Sequence, residues 1–301
     1  MMAAETIRQS YKMQGAKEML RELRSKADPI SQSLAKAIEH FMNHSISPEE
    51  KEHIDRIESL RKKLSASTAQ ISVVDYGAVS SEVTVPSADE AQGITVQRSV
   101  GQTCKAGSVP PMWGLLLFKL IREFKPTSGL ELGTSLGIST AYQTLAMEIN
   151  GSGKFVSLEG SPALASLARI NLKTLGLKRA TVKTGPFQNT MAVALQECRP
   201  VDYAFIDGHH EEQATLRYFE QVFPFLADNS VVVFDDVSWS AGMRRAWNKI
   251  IADSRVQISV DLSKLGICVI ASSPRIRQSF KCHLSYWQKA LVRMGVTAFA
   301  R

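Results

Sequence analysis

Gly129-Leu130-Glu131-Leu132-Gly133-Thr134-Ser135-Leu136-Gly137-Ile138-Ser139-Thr140 is an apolar run that breaks at a glycine and passes a second glycine into a helical pattern. A strand that turns tightly into a helix needs backbone freedom at the turn, and glycines there let a ligand approach the main chain. The N-terminus of the helix that follows offers free N–H groups. The spacing is not G-x-G-x-x-G. Glu131, two residues before the first glycine of the turn, would repel a pyrophosphate yet suit a cationic ligand.

Outward from this stretch the same rhythm recurs. Apolar runs at 154–159, 180–184, 201–207 and 230–236 alternate with amphipathic patterns near 138–149, 161–175, 188–198 and 211–226. A further helical pattern near 239–254 precedes two closing runs, 257–262 and 266–271. Strands alternating with helices predict a parallel sheet covered on both faces. The last two runs, only three residues apart, are too close for a parallel crossover and predict a hairpin. The expected fold is α/β: a Rossmann-like doubly wound sheet, mostly parallel with a C-terminal antiparallel hairpin, plus a helical N-terminal extension. Ligands in such sheets sit at the carboxyl ends of the strands.

The remaining chain divides by composition. Residues 1–70 carry Glu, Lys, Arg, Leu and Ile at helical spacing, and Ser47-Pro48-Glu49-Glu50 reads as a capped helix start. This extension is expected to cap the site or dimerise. Residues 71–109, rich in Ser, Thr, Val, Gly and Pro, read as a connector or lid; 110–272 is the main domain. Residues 273–301 form a basic tail, expected to be helical around Tyr286-Trp287, Ala290, Leu291 and Met294.

The 301 residues are 44% hydrophobic and 22% charged, which excludes a disordered or fibrous chain. The formal charge of +7 is concentrated at the end: the tail has six basic and no acidic residues, whereas 127–272 holds 13 basic and 14 acidic ones. A nucleic-acid groove on the main domain is therefore not expected. Cys104, Cys198, Cys268 and Cys282 form no metal-ligand spacing and read as reduced thiols. With no apolar stretch near the length of a membrane span and no secretory signal pattern, the expectation is a cytoplasmic protein.

The strand ends carry the chemistry. The second run ends in Glu159, 26 residues after Gly133, where an acid commonly accepts ribose hydroxyls. The third leads into Gly185-Pro186-Phe187-Gln188, an apolar edge and an amide suited to an adenine, although Phe187 also fits a core position. The fourth ends Asp207-Gly208-His209-His210 and the fifth Asp235-Asp236. Three carboxylates at one rim call for a cation, and oxygen ligands suit Mg²⁺, Mn²⁺ or Ca²⁺. One of the paired aspartates could instead cap the next helix.

Residues 131–139, Glu159 and the Ile206-Asp207 and Asp235-Asp236 ends together resemble class I S-adenosylmethionine (SAM)-dependent methyltransferases, and within them the metal-dependent group typified by catechol O-methyltransferase. The likeness covers about residues 100–272. It implies that Gly133, Thr134, Ser135 and Gly137 line the methionine part of SAM, with Ser139 near its carboxylate and Glu131 toward its cationic end. It implies Glu159 and Gly160 at the ribose, and Pro186, Phe187 and Gln188 at the adenine with His209 on its other face. Asp207, Asp235 and Asp236 match the metal ligands, for Mg²⁺ above Mn²⁺ or Ca²⁺. Where catechol-type members carry a lysine as general base, this chain has His210, which can accept a proton near neutral pH without prior adjustment. A fourth metal ligand or a capping role is open to it too. Trp239 would form an acceptor wall and Trp113, after Met112, would close over the methyl group; either also fits a core.

The expected activity is O-methylation of a small-molecule hydroxyl or phenol, by a homodimer. A metal-independent N- or carboxyl-methyltransferase is one alternative, and a non-catalytic cofactor-binding interaction module is another.

Overall fold

The structure, a computed structural model, describes residues 15–76, 93–271 and 277–282. Helical residues 15–25 (α1) lead to α2 (Pro29–Met42) and α3 (Pro48–Ser65). The start of α3 follows the sequence pattern closely. Ser47 Oγ accepts from Glu50 N, the Glu50 side chain accepts from Ser47 N, and Pro48 opens the first turn.

The 71–109 connector is more regular than its composition implies. β1 (Gln70–Asp75) and β2 (Ile94–Ser99) pair antiparallel, and α4 (Val100–Gly107) follows, capped by Ser99 and Gln102. Val73 sits in a small buried cluster with Val100, Cys104, Leu136 and Leu164, which gives the ribbon a core to pack on. The alternation Ile71, Val73 is the strand signal, diluted by the serines and glutamine around it.

The main domain runs α5 (Pro111–Phe124), β3 (Ser128–Leu132), α6 (Ile138–Asn150), β4 (Lys154–Glu159), α7 (Pro162–Thr174) and β5 (Ala180–Thr184). It continues through α8 (Phe187–Cys198), β6 (Val201–Ile206), α9 (Glu212–Val222), β7 (Leu226–Phe234) and α10 (Ala241–Ala252). β8 (Val256–Asp261), β9 (Gly266–Ile270) and β10 (Gln278–Lys281) close it. The eight-stranded sheet has the order β10-β8-β9-β7-β6-β3-β4-β5. β3 to β7 are parallel, and β9 pairs antiparallel with both β7 and β8, as the closing runs imply. β10 lies within the span expected to be a helical tail: Ser279 and Phe280 pair parallel with β8, because an edge strand with free backbone groups is available there. The helix expected around Tyr286–Met294 lies outside the described residues.

Side chains alternate across the sheet. Tyr203, Phe205, Val231 and Val233 face the layer of α1, α2, α3, α5, α6 and α7; Leu130, Leu132, Ala204, Ile206, Val232 and Phe234 face α8, α9 and α10. The N-terminal helices share the first core. Phe41 stacks on Trp113, and Glu50 reaches across to Lys119 at 2.7 Å and Arg122 at 2.9 Å. Strand order reverses between β3 and β6, which opens a crevice at their carboxyl ends.

Candidate functional site

A cavity of about 300 Å³ occupies that crevice. Its floor comes from the ends of β3, β4 and β6, and its roof from β1, the start of the segment after it, and α4. Main-chain bonds carry the sheet past the strand ends: Gly133 and Thr134 N–H donate to Leu158 O, Asp207 N–H to Leu132 O, and Asp235 N–H to Ile206 O. Gly133 has φ +99°, and a Cβ there would lie 1.9 Å from the Asp207 carbonyl oxygen. Only glycine lets β3 and β6 run side by side into this loop.

Glu159 is the fixed acid of the floor. Its carboxylate accepts from Ser135 N–H at 2.7 Å and Ser161 N–H at 2.8 Å, from the turns on either side. Burial pushes its pKa up to about 7 although both N–H donors work the other way. Ser161 Oγ also accepts from Val74 N–H, which ties the β1 roof to the turn that holds Glu159. Gly160 leaves room for the Tyr76 ring, 2.7 Å from where a Cβ would stand.

Pro186, Phe187 and His209 form the adjoining wall. Phe187 meets the His209 ring edge-on at 5.7 Å, and the Tyr218 hydroxyl bonds His209 Nδ1 at 2.6 Å. Phe187 is thus both packed and cavity-lining. His209 and His210 adopt φ +59° and +31°, a sharp turn that brings both imidazoles toward the cavity after β6.

Several expected residues lie beneath the cavity wall. Glu131 is fully buried and accepts from Gln143 Nε2 at 2.7 Å, Ser157 Oγ at 2.5 Å and Thr140 Oγ1, with Ser139 adding to the set. Burial raises its pKa while these donors hold it down. Its place under the glycine loop makes it a support for the turn rather than a face for a ligand. Thr134 is buried on Ser157, and Gly137 caps α6 against Ala168. Gln188 is exposed and outside the lining. Trp113 is 4% exposed and belongs to the core, stacked on Phe41, because α2 covers the helix on which it sits. Trp239, 62% exposed, lines the cavity mouth.

The acidic rim differs from its sequence reading. Asp207 and Asp236 open to the cavity; Asp235 does not. His210 Nε2 stands 3.6 Å from Asp207 Oδ1 and His210 Nδ1 3.9 Å from Asp236 Oδ2. The cation at this rim is Lys264. Its Nζ lies 2.9 Å from Asp235 Oδ1, 3.1 Å from Asp235 Oδ2 and 2.6 Å from Asp236 Oδ1. Asp235 Oδ1 also accepts the Asp236 N–H at 2.8 Å. Burial opposes the lysine's charge, but the two carboxylates outweigh it and hold the ammonium above its ordinary pKa. Asp207 is shifted well up by burial and by the Asp235 charge, with Lys264 only partly offsetting them. Among the described residues, no three His, Cys, Asp or Glu side chains are grouped so as to hold a metal ion. With Lys264 seated on Asp235 and Asp236, the three aspartates do not fit a divalent cation as arranged.

Arg98, on β2 in the expected connector or lid, lines the cavity while paired with Asp75 at 2.9 Å; like Tyr76 it reaches the site through the β1–β2 ribbon. Lys264 gave no local signal.

Residues 130–237 match the family model described as a methyltransferase domain, from β3 to just past β7. A catechol O-methyltransferase of Mycobacterium tuberculosis is 32% identical over 137 residues, 45% of this chain and 60% of that protein. A catechol O-methyltransferase of Niastella koreensis is 29% identical over 132 residues, 43% and 58% respectively. The chain thus spans about three fifths of the length of these curated relatives. Among solved structures, an O-methyltransferase from Bacillus cereus in complex with S-adenosylhomocysteine (SAH) is 27% identical, with TM-score 0.46, over 56% of this chain and 84% of that one. The O-methyltransferase TomG from Streptomyces achromogenes, in complex with SAM, is 20% identical, with TM-score 0.49, over 56% and 83%. The chain resembles class I SAM-dependent methyltransferases of the catechol O-methyltransferase-like group.

Proposed function

We propose that this chain is a SAM-dependent O-methyltransferase acting on a small-molecule hydroxyl or phenol. The observation that carries the reading is Glu159: a buried carboxylate held by two backbone N–H groups, opening onto the same cavity as the Gly133 turn. A carboxylate so placed accepts hydrogen bonds from vicinal hydroxyls. Gly133 and Ser135 give the cavity an edge of bare backbone, and Pro186, Phe187 and His209 supply an apolar wall for a flat heterocycle. Arg98 is the sole Lys or Arg among the described lining residues and is paired with Asp75 at 2.9 Å, so the lining offers a phosphorylated ligand little positive charge. Bound SAM supplies the methyl group, on a sulfonium that is itself cationic.

The acceptor lies on the side of His210, Asp236 and Trp239, beneath the β1–β2 ribbon. His210 takes the acceptor proton. Asp207, 3.6 Å away, orients the imidazole, and the cavity excludes water and aligns the reactants. The apolar faces of α2 and α3, where a dimer contact is expected, pack on α5 and α6 of the same chain, so the reading needs no second copy. The four cysteines are buried thiols in no disulfide among the described residues, as suits a reducing cytoplasmic compartment.

The test is incubation of the full chain with SAM and a panel of phenols and alcohols, read by mass spectrometry. A methylated acceptor and SAH should form in equal amounts, and His210→Ala should lower kcat by about 10²–10⁴-fold. Methylation confined to amines or carboxylates would contradict the hydroxyl assignment.

A further inference from the structure

The rim that is expected to bind a divalent ion already carries a tethered charge. Lys264 lies in the turn between β8 and β9, and that turn is fixed at several points. Leu262 N–H donates to Leu265 O at 2.9 Å, Ser263 N–H to Asp261 Oδ1 at 2.9 Å, and both leucines are fully buried. The main chain of Lys264 is bonded to the acidic turn itself: its carbonyl accepts Val237 N–H at 3.0 Å, one residue beyond Asp236. Its ammonium is therefore delivered to Asp235 and Asp236 by a backbone contact, not by a loose surface side chain. Three carboxylate oxygens stand within 2.6–3.1 Å of Nζ. An ammonium has three N–H donors, enough to serve all three.

We propose that Lys264 is a built-in cation that stands in the place of a divalent metal, holding Asp235 and Asp236 so that methyl transfer proceeds without one. The methyl-transfer clause rests on the function proposed above; the claim about the cation stands on the turn geometry. Lys264 does not line the cavity, so it is a positioning residue. It sets the Asp235–Asp236 turn, in which Asp236 has φ +52° and faces His210. With the ammonium in place, a divalent ion would have to displace it from both carboxylates. With the ammonium removed, Asp207, Asp235 and Asp236 become three close carboxylates without a counter-ion, a set suited to a hard cation.

The experiment titrates the full chain with MnCl₂ alone, reading free Mn²⁺ by electron paramagnetic resonance, beside SAH calorimetry on the same samples. The wild type should show no stoichiometric Mn²⁺ site. Lys264→Ala should gain one, at least about tenfold tighter than any wild-type binding, because a unit positive charge beside two carboxylates has gone. Lys264→Arg should stay silent. A merely structural lysine would not create a metal site on removal. One Mn²⁺ bound per wild-type chain overturns the proposal, and that measurement needs no variant to fold. A folded Lys264→Ala protein that still binds no Mn²⁺ overturns it too. Absence of SAH binding in wild type, with Mn²⁺ behaving as described, would defeat the methyltransferase reading and leave the tethered cation standing.

Discussion

The two halves of the sheet's carboxyl edge stabilise buried acid in opposite ways. In the half built from β3 and β4, Glu131 is served by hydroxyl and amide donors from β4 and α6, and Glu159 by backbone N–H groups of the turns that follow β3 and β4. In the half built from β6 and β7, Asp235 and Asp236 are served by one ammonium from a hairpin turn 28 residues beyond Asp236. Neutral donors hold a carboxylate in place without cancelling its charge, whereas an ammonium does both. The first half thus presents a fixed carboxyl group to a ligand; the second leaves Asp207 and His210 open to the cavity, the groups that handle a proton in the proposed reaction.

Breaking the seam between the halves should have the largest effect. Gly133→Ala sets a Cβ 1.9 Å from the Asp207 carbonyl oxygen at a φ that L side chains rarely adopt. It should cost more than about 3 kcal/mol in urea unfolding and abolish SAH binding. If the variant is as stable as wild type, β3 and β6 are not locked at this point.

Next comes the ammonium half. Lys264→Ala leaves two carboxylates, one of them buried, without their partner, and should lower stability by about 3 kcal/mol, the lower end for breaking a buried pair. The matching cut in the other half is milder. Thr140→Val removes one of several donors to Glu131 and should cost about 1–2 kcal/mol by the same unfolding assay. An equal loss from both variants would erase the proposed difference between the halves.

The ionisation of Glu159 sharpens the contrast. Its pKa in the folded chain, about 7, lies above the ordinary 4.5, so the fold favours the protonated form. This group's stabilising contribution is complete below pH 4.5 and is lost as pH rises through about 7. Ligand binding should run the other way, because in the proposed SAM site ribose hydroxyls donate to the carboxylate. SAH affinity should fall by up to about tenfold per pH unit below 7, level off above it, and show proton release in buffers of different ionisation enthalpy. A flat profile from pH 6 to 8 would place the ribose elsewhere. The smallest effect belongs to the exposed mouth: Trp239→Ala should change stability by no more than about 0.5 kcal/mol while raising KM for the acceptor.

Legibility in sequence follows the same division. The glycine turn, Glu159, the helix boundaries and the closing hairpin are local patterns, and each is present where its residues imply. The three aspartates also end their strands as expected. What the sequence did not disclose is which cation serves them, because Lys264 reaches Asp235 only after β9 inserts between β7 and β8. Trp113 misleads for a related reason. Its helix is buried all round through Ile121, and the partner that makes the tryptophan core, Phe41, comes from a helix far upstream. Tyr76 and Arg98 lie in the stretch read as a connector or lid, and only the pairing of β1 with β2 brings them over the cavity.

The central claim, a SAM site anchored on Glu159 and complete without a divalent ion, is tested most directly by calorimetric titration of SAH in EDTA-containing buffer. Wild type should bind one SAH per chain, with the same affinity when Mg²⁺ replaces the chelator. Glu159→Ala should weaken it about 100-fold or more, as expected for losing charge-assisted bonds to two hydroxyls. No SAH binding by wild type, or binding that survives Glu159→Ala unchanged, would contradict the account.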